Sequence, residues 1–203
     1  SATSPALWYM SRQFDPNNFD TSATPEATAA VAGTLTASNV VGAPQEPIVA
    51  LIPWQDDYLI FGGANSMSML EGDPGYQGAI FPLTQGVGIL GGRAWAFDDK
   101  DNLYFLGSSG LYRLPRGGRE PINISGRRLA TRLDQVDADS TFIQLAYDAY
   151  KKTLHIFLTP INGTDQGVHV VYDTFLDAFW EDVYPLAAGP WAVAPIMGNK
   201  DED

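Results

Sequence analysis

The chain has 203 residues, no cysteine, 24 acidic against 12 basic side chains, and a formal net charge of −12. The lack of cysteine excludes disulfides, thiolate zinc sites and cysteine nucleophiles and fits a reducing compartment. The acidic balance disfavours sequence-specific recognition of phosphate backbones. No apolar run approaches the roughly 18 residues of a membrane-spanning helix, and no secretory leader pattern opens the chain. The opening Ser1-Ala2-Thr3-Ser4 leads us to expect a processed chain or a piece of a larger one.

Glycine and proline number 20 and 14, about one residue in six against an ordinary usage of roughly 12%. They separate short apolar runs, as in all-β chains. Residues 6–10 read as a strand ended by the turn cluster Asp15-Pro16-Asn17-Asn18. An Ala/Thr-rich segment over 21–38 follows, read as a helical turn at 27–32 or as a mobile loop. Residues 1–46 are therefore expected to form an N-terminal extension. A repeat domain is expected over 47–197, and an acidic tail over 198–203. The first repeat places strands at 48–52, 58–61, 67–70 and around Ala79, Phe81 and Leu83, with turns at Asp56-Asp57 and Asp73-Pro74-Gly75. The second places strands at 93–97, 103–106 and 111–114. Ser125 with Leu129, Leu133 and Val136 at helical spacing predicts a short amphipathic helix over 126–137. The third unit has strands at 142–147, 154–158 and 168–172, a lengthened loop at 162–167, and Phe179-Trp180 at its close. Trp191-Ala192-Val193 reads as the start of another unit.

One segment echoes another 44 residues later: Asp57, Leu59, Phe61, Gly63 and Leu70 superpose on Asp101, Leu103, Phe105, Gly107 and Leu114. That period matches one four-stranded propeller blade, a unit that cannot bury its faces alone. In the third unit the shift from Leu103 to Leu154 is 51, so the repeat is irregular. Leu154, Ile156 and Leu158 alternate with His155 and Phe157, so both faces of that strand carry bulk, as a stacked sheet requires. The expected class is all-β: propeller-like blades of antiparallel sheet, partial or irregular, with one short helix. A β-sandwich is the alternative.

Several motifs invite chemistry. Gly86-Val87-Gly88-Ile89-Leu90-Gly91 matches the dinucleotide fingerprint, but a strand-like run follows where the phosphate-binding helix should begin. It is read as a bend. The acids Asp56-Asp57 and Asp98-Asp99-Lys100-Asp101 occupy the same place in successive repeats, where hairpins favour Asp and Asn. His155 and His169 lie in apolar strands and are read as core or sheet residues rather than metal ligands. Trp54, Trp95 and Trp180 are assigned to packing. Asn123-Ile124-Ser125 and Asn162-Gly163-Thr164 match the glycosylation pattern by chance. No catalytic residue, cofactor or metal is expected. Six of the twelve basic residues fall in one stretch: Arg113, Arg116, Arg119, Arg127, Arg128 and Arg132. In an acidic chain they read as a contact for an acidic partner or another copy, or as a solvated face with internal pairs such as Arg128 with Asp134. Local contact with phosphates is a minor third reading.

In this setting the chain resembles the β-propeller proteins of tailed-phage virions, of the tail tubular protein B or nozzle type. The resemblance rests on Ser11-Arg12, Asp15-Pro16 and Phe19, on Asp57-Tyr58-Leu59-Ile60-Phe61 with Leu70-Glu71-Gly72, and on Leu103-Tyr104-Phe105-Leu106 with Gly110-Leu111-Tyr112. It continues through 127–133, Tyr147-Asp148, Leu154, Val171-Tyr172-Asp173 and Phe179-Trp180. Nozzle proteins are much longer, so this chain has room for only part of such a ring. The resemblance implies a non-enzymatic structural part of a virion tail, nozzle or neck, assembled in the bacterial host cytoplasm. Its partners would be other virion proteins and copies of itself, with passive contact to translocating DNA and no small-molecule substrate. The rival classes are a carbohydrate-binding or carbohydrate-active propeller and a general interaction platform in a cell.

Overall fold

A computed structural model describes residues 8–11, 15–19, 31–33, 43–74, 78–129, 136–161 and 167–183. The chain forms two compact units, Ser1–Ile89 and Leu90–Asp203.

In the first unit, β1 (Trp8–Met10) pairs antiparallel with β2 (Val31–Gly33). Val31 and Ala32 are thus strand, not the helical turn expected over 27–32, whose first four residues lie outside the described ones. β3 (Ala50–Trp54), β4 (Tyr58–Gly62), β5 (Ser66–Glu71) and β6 (Ala79–Gln85) form a four-stranded antiparallel meander. Alternation in β3 buries Ala50, Ile52 and Trp54 and leaves Leu51 exposed. Trp8 packs on Phe61 and Leu70, its ring 5.7 Å from that of Phe61. The N-terminal strand therefore shares the core of the first repeat. The glycine motif is a bend: Gly86 has φ +79°, and a Cβ on Gly88 would collide with the Ala64 carbonyl.

In the second unit, β7 (Trp95–Phe97), β8 (Leu103–Gly107), β9 (Gly110–Leu114) and β10 (Ile122–Asn123) form one meander. β11 (Thr141–Asp148), β12 (Thr153–Pro160), β13 (Val168–Asp173) and β14 (Ala178–Val183) form another. The first strands of the two sheets are neighbours, and the Leu145 amide donates to the Arg93 carbonyl at 3.0 Å. Every residue of β8 is buried, as a strand covered on both faces requires.

The 44-residue echo is an echo of pairing. Leu59 faces Leu70 as Leu103 faces Leu114, and Phe61 faces Ser68 as Phe105 faces Tyr112. Three four-stranded antiparallel meanders make the chain all-β, consistent with blades or with a sandwich.

The helix expected over 126–137 is not present in its described part. Gly126 takes φ +52°, outside the helical region, and 126–129 form turns. The Ser125 hydroxyl, expected as a helix cap, instead accepts the Leu111 amide at 3.0 Å and ties this loop to β9. Residues 130–135 lie outside the described ones, and no helix occurs among those described. The start of a further unit at 191–193 and the tail at 198–203 also lie outside them.

Candidate interaction surface

Three hairpins of the second unit share one device. In the β7–β8 turn the Asp98 carboxylate accepts the backbone amides of Lys100 (2.8 Å) and Asn102 (2.9 Å). Asp148 accepts those of Tyr150 and Lys151 in the β11–β12 turn, and Asp173 those of Phe175 and Leu176 in the β13–β14 turn. Each turn then needs one left-handed residue, supplied by Asp101, Lys152 and Asp177 at φ +59°, +58° and +50°. Aspartate is suited to this work because its short side chain reaches its own backbone two residues on. These acids hold turns, as the repeat position of Asp98 and its neighbours implied. Among the described residues no cluster of three His, Cys, Asp or Glu is arranged to hold a metal.

Two of these hairpins are tied together. The Lys152 ammonium lies 2.8 Å from Asp99, which also accepts the Tyr147 hydroxyl at 2.9 Å. The Lys152 hydrogen bond and then that of Tyr147 hold the Asp99 carboxyl below its ordinary range. Burial first, and Asp99 second, push Tyr147 up to about 12. Tyr172 is likewise raised to about 12 by burial and then by Asp177, which its hydroxyl meets at 3.1 Å. Tyr104 is raised still further by burial and by Asp98, against the pull of the Arg113 guanidinium. All three phenols are proton donors at neutral pH and serve to fasten turns to strands.

The described arginines of the stretch differ in their surroundings. Arg113, on β9, is half-buried beside Tyr104 and Tyr172, with an Nε that has no hydrogen-bond partner. Arg116 pairs with Asp101 at 3.2 Å, and Arg119 is exposed. Arg127 is exposed and makes no ion pair among the described residues. Arg128 donates to the Asp177 carbonyl at 2.8 Å, lies 3.6 Å from the Asp177 carboxylate, and sits over the Phe179 ring. Its partner is thus Asp177. Asp134, the partner considered from sequence, and Arg132 both lie outside the described residues.

Arg128 forms one wall of an open groove of about 410 Å³ on β14, floored by Leu129, Val170 and Phe179 and bounded by Trp180 and Glu181. Trp180 is 44% exposed there, whereas Trp54 is buried and Trp95 half-buried. The packing role assigned to all three therefore holds for Trp54 and departs most at Trp180. Nearby, the turn tips that Asp148 and Asp173 shape present Tyr150, Phe175 and Leu176, which are 91%, 88% and 66% exposed. The Thr174 amide and hydroxyl both donate to the Lys152 carbonyl, at 3.1 and 2.8 Å, and lock the two tips together. A second cleft of about 470 Å³ lies between β7 and β11, lined by Arg93, Trp95, Phe97, Gln144 and Tyr147.

The histidines form a pair that sequence reasoning did not anticipate. His155 pairs in register with Val171 and His169 with Phe157, so the imidazoles are diagonal neighbours on one face. Their Nδ1 and Nε2 atoms lie 2.8 Å apart, and Phe157 stacks on His169 with centroids 4.4 Å apart. The Thr153 hydroxyl meets the other side of His155 at 3.1 Å. Burial holds both histidines below their usual value, and for His169 the neighbouring His155 adds to the effect. Asp182 pulls the other way, but its carboxylate is 62% exposed and 3.6 Å from His169, too wet to prevail.

No protein-family model matches the chain, and no curated protein matches it.

Proposed function

We propose that this chain is a non-enzymatic structural component of a tailed-phage virion, packing with other subunits in a tail, nozzle or neck around the path of the DNA. The observation that carries this reading is the repeat of pairing register in successive four-stranded meanders, a modular unit whose faces are completed by neighbours. Two features support it. The formal charge of −12 suits a wall along which DNA slides without sticking. Asp98, Asp148 and Asp173, in three hairpins of the second unit, are engaged in holding turns. Partners are other virion proteins and further copies of the chain, and any contact with DNA is passive. Mass spectrometry and low-resolution imaging of particles from the host that encodes the chain test the proposal. Finding the chain at fixed copy number in the particle is expected, and its absence from purified particles overturns the reading. A carbohydrate-binding propeller is the second reading, favoured by the cleft of Trp95, Phe97 and Gln144. Glycan-array binding that is lost in Trp95→Ala would establish it instead.

A further inference from the structure

We infer that Thr153, His155, His169 and Asp182 form a proton-operated clasp across β12, β13 and β14, which takes up one proton with its hydrogen bonds intact and parts on the second.

The four side chains make a continuous row on one face of the third sheet. The Thr153 hydroxyl lies 3.1 Å from His155 Nε2, and His155 Nδ1 lies 2.8 Å from His169 Nε2. His169 Nδ1 then lies 3.6 Å from the Asp182 carboxylate. Strand geometry aligns them: Thr153 and His155 stand two apart on β12, and His169 pairs in register with Asp182. Thr153 and His169 are buried, so their polar atoms need partners inside the protein. The Asp182 carboxylate favours N–H over a lone pair at His169 Nδ1, and one ring nitrogen sets the role of the other. His169 Nε2 is therefore an acceptor, His155 Nδ1–H is its donor, and His155 Nε2 accepts the Thr153 hydroxyl. All three hydrogens point along the row towards Asp182.

A proton from water adds at His155 Nε2, on the half-buried ring. The Thr153 hydroxyl then turns a lone pair to the new N–H, since a hydroxyl both donates and accepts. The bond between the rings survives and joins an imidazolium to an imidazole, which strengthens it. Shifting the shared hydrogen from His155 Nδ1 to His169 Nε2 moves the charge to the ring beside Asp182. A second proton finds no such place. Both facing nitrogens would carry hydrogen at 2.8 Å, with two cations and no acceptor between them, so the bond parts. The surrounding charges divide. Asp182 favours a charge on either ring, Asp148 favours one on His155, Lys151 opposes it, and burial opposes both. Asp148 and Asp173 flank Thr153 in register, but their carboxylates hold turn amides.

Nitrogen-15 spectra of the histidine rings in the intact labelled chain test this, from about pH 7.5 down to about pH 4. At the upper end both rings are expected to be neutral with hydrogen on Nδ1. On acidification one proton is expected to enter the pair while the signal of the shared hydrogen persists. That signal is expected to vanish only in a second step, together with the exchange protection of β13 and β14 and before that of β8. Asp182→Asn, a change at an exposed side chain, is expected to weaken the first uptake about twofold to fivefold. Hydrogen on Nε2 of either neutral ring, or an unweakened first uptake in the variant, overturns the order of the row. Two protons entering in one step, a shared hydrogen that survives both, or loss of β8 protection in the same step overturns the clasp.

Discussion

Acidification through the range in which histidine titrates should loosen the third sheet, and the His155–His169 pair sets how much. Two neutral imidazoles share one N–H···N hydrogen bond at 2.8 Å. Adding a proton to either ring places a charge in a partly buried site, and adding two sets cations against each other. The charged neighbours divide: Asp148 and Asp182 favour protonation of the pair, Lys151 opposes it, and burial outweighs them. Both folded-state values lie below the unfolded one, so the unfolded chain binds more protons. Stability is full above about pH 6.5 and falls as pH drops from there toward the folded values.

The size follows from linkage. At pH 5.5 each imidazole that is protonated only on unfolding costs about 1.4 kcal/mol, or about 2.8 kcal/mol for two. That is the ceiling, and because His155 is only half-buried and screened by solvent the pair contributes less. The assay is urea unfolding at pH 7.5, 6.5 and 5.5 for the wild type and for His155→Gln/His169→Gln. Carboxylates titrate alike in both proteins, so their effects cancel in the comparison. The wild type should lose more stability than the variant over this range, by less than about 2.8 kcal/mol. Parallel slopes would refute the reasoning. A wild type that gains stability on acidification relative to the variant would show that Asp182 holds a charged His169.

Leu103→Ala should cost about 3 kcal/mol in urea unfolding, because Leu103 is fully buried between Phe97 and Leu114 and truncation leaves a cavity. Gly110→Ala should cost more than about 1 kcal/mol, since φ is +139° and the new methyl would strike the Ser125 hydroxyl that accepts the Leu111 amide. Lys152→Met should cost less than about 1 kcal/mol, as its pair with Asp99 is solvent-exposed, and the Asp99 carboxyl should titrate closer to its ordinary range by NMR. The phenols of Tyr147 and Tyr172 should ionise only near pH 12 in an absorbance titration. Their folded values lie above the unfolded one, so their contribution is intact below about pH 10 and disappears as pH rises through 12.

What was legible in the chain was what neighbours in sequence decide. Asp98 announced a turn because its carboxylate bonds amides two and four residues on. Leu103 and Leu114 announced a hairpin because a fixed spacing around a short turn sets register. What was hidden depends on partners distant in sequence. Leu129, Leu133 and Val136 have helical spacing, but nothing local reveals that Ser125 is engaged by Leu111 or that Gly126 is left-handed. β2 comes from an Ala/Thr-rich run with little apolar signal, and it pairs with β1, whose Trp8 docks on the distant Phe61 and Leu70. The histidine pair was hidden for a related reason. Its diagonal contact depends on the register of β12 with β13 across a lengthened loop, and loop length alone does not determine register.

The drift of the repeat in the third unit can be assigned to particular connections. Pro53 faces Leu59 and Phe97 faces Leu103, both six residues apart, whereas Tyr147 faces Leu154, seven apart. One extra residue therefore sits in the β11–β12 turn, where Lys152 takes the left-handed conformation and reaches Asp99. The larger change precedes it. From Leu70 to Phe97 the chain advances 27 residues, and from Leu114 to Tyr147 it advances 33. Those six extra residues fall in the connection after β9, in which β10 spans two residues where β6 spans seven. Five of the six clustered arginines, all but Arg113, lie in this connection. The extra residues accompany a short edge strand and a gathering of positive charge, while the register of β4 with β5 repeats in that of β8 with β9. A residue added within a hydrogen-bonded ladder turns side chains to the wrong face unless a bulge absorbs it, as opposite Met67 and Ser68 in the β5–β6 pair, while a connection takes it up without that cost. The segment that takes up the extra length is thus the one that bears Arg127 and brings Arg128 to the rim of the β14 groove.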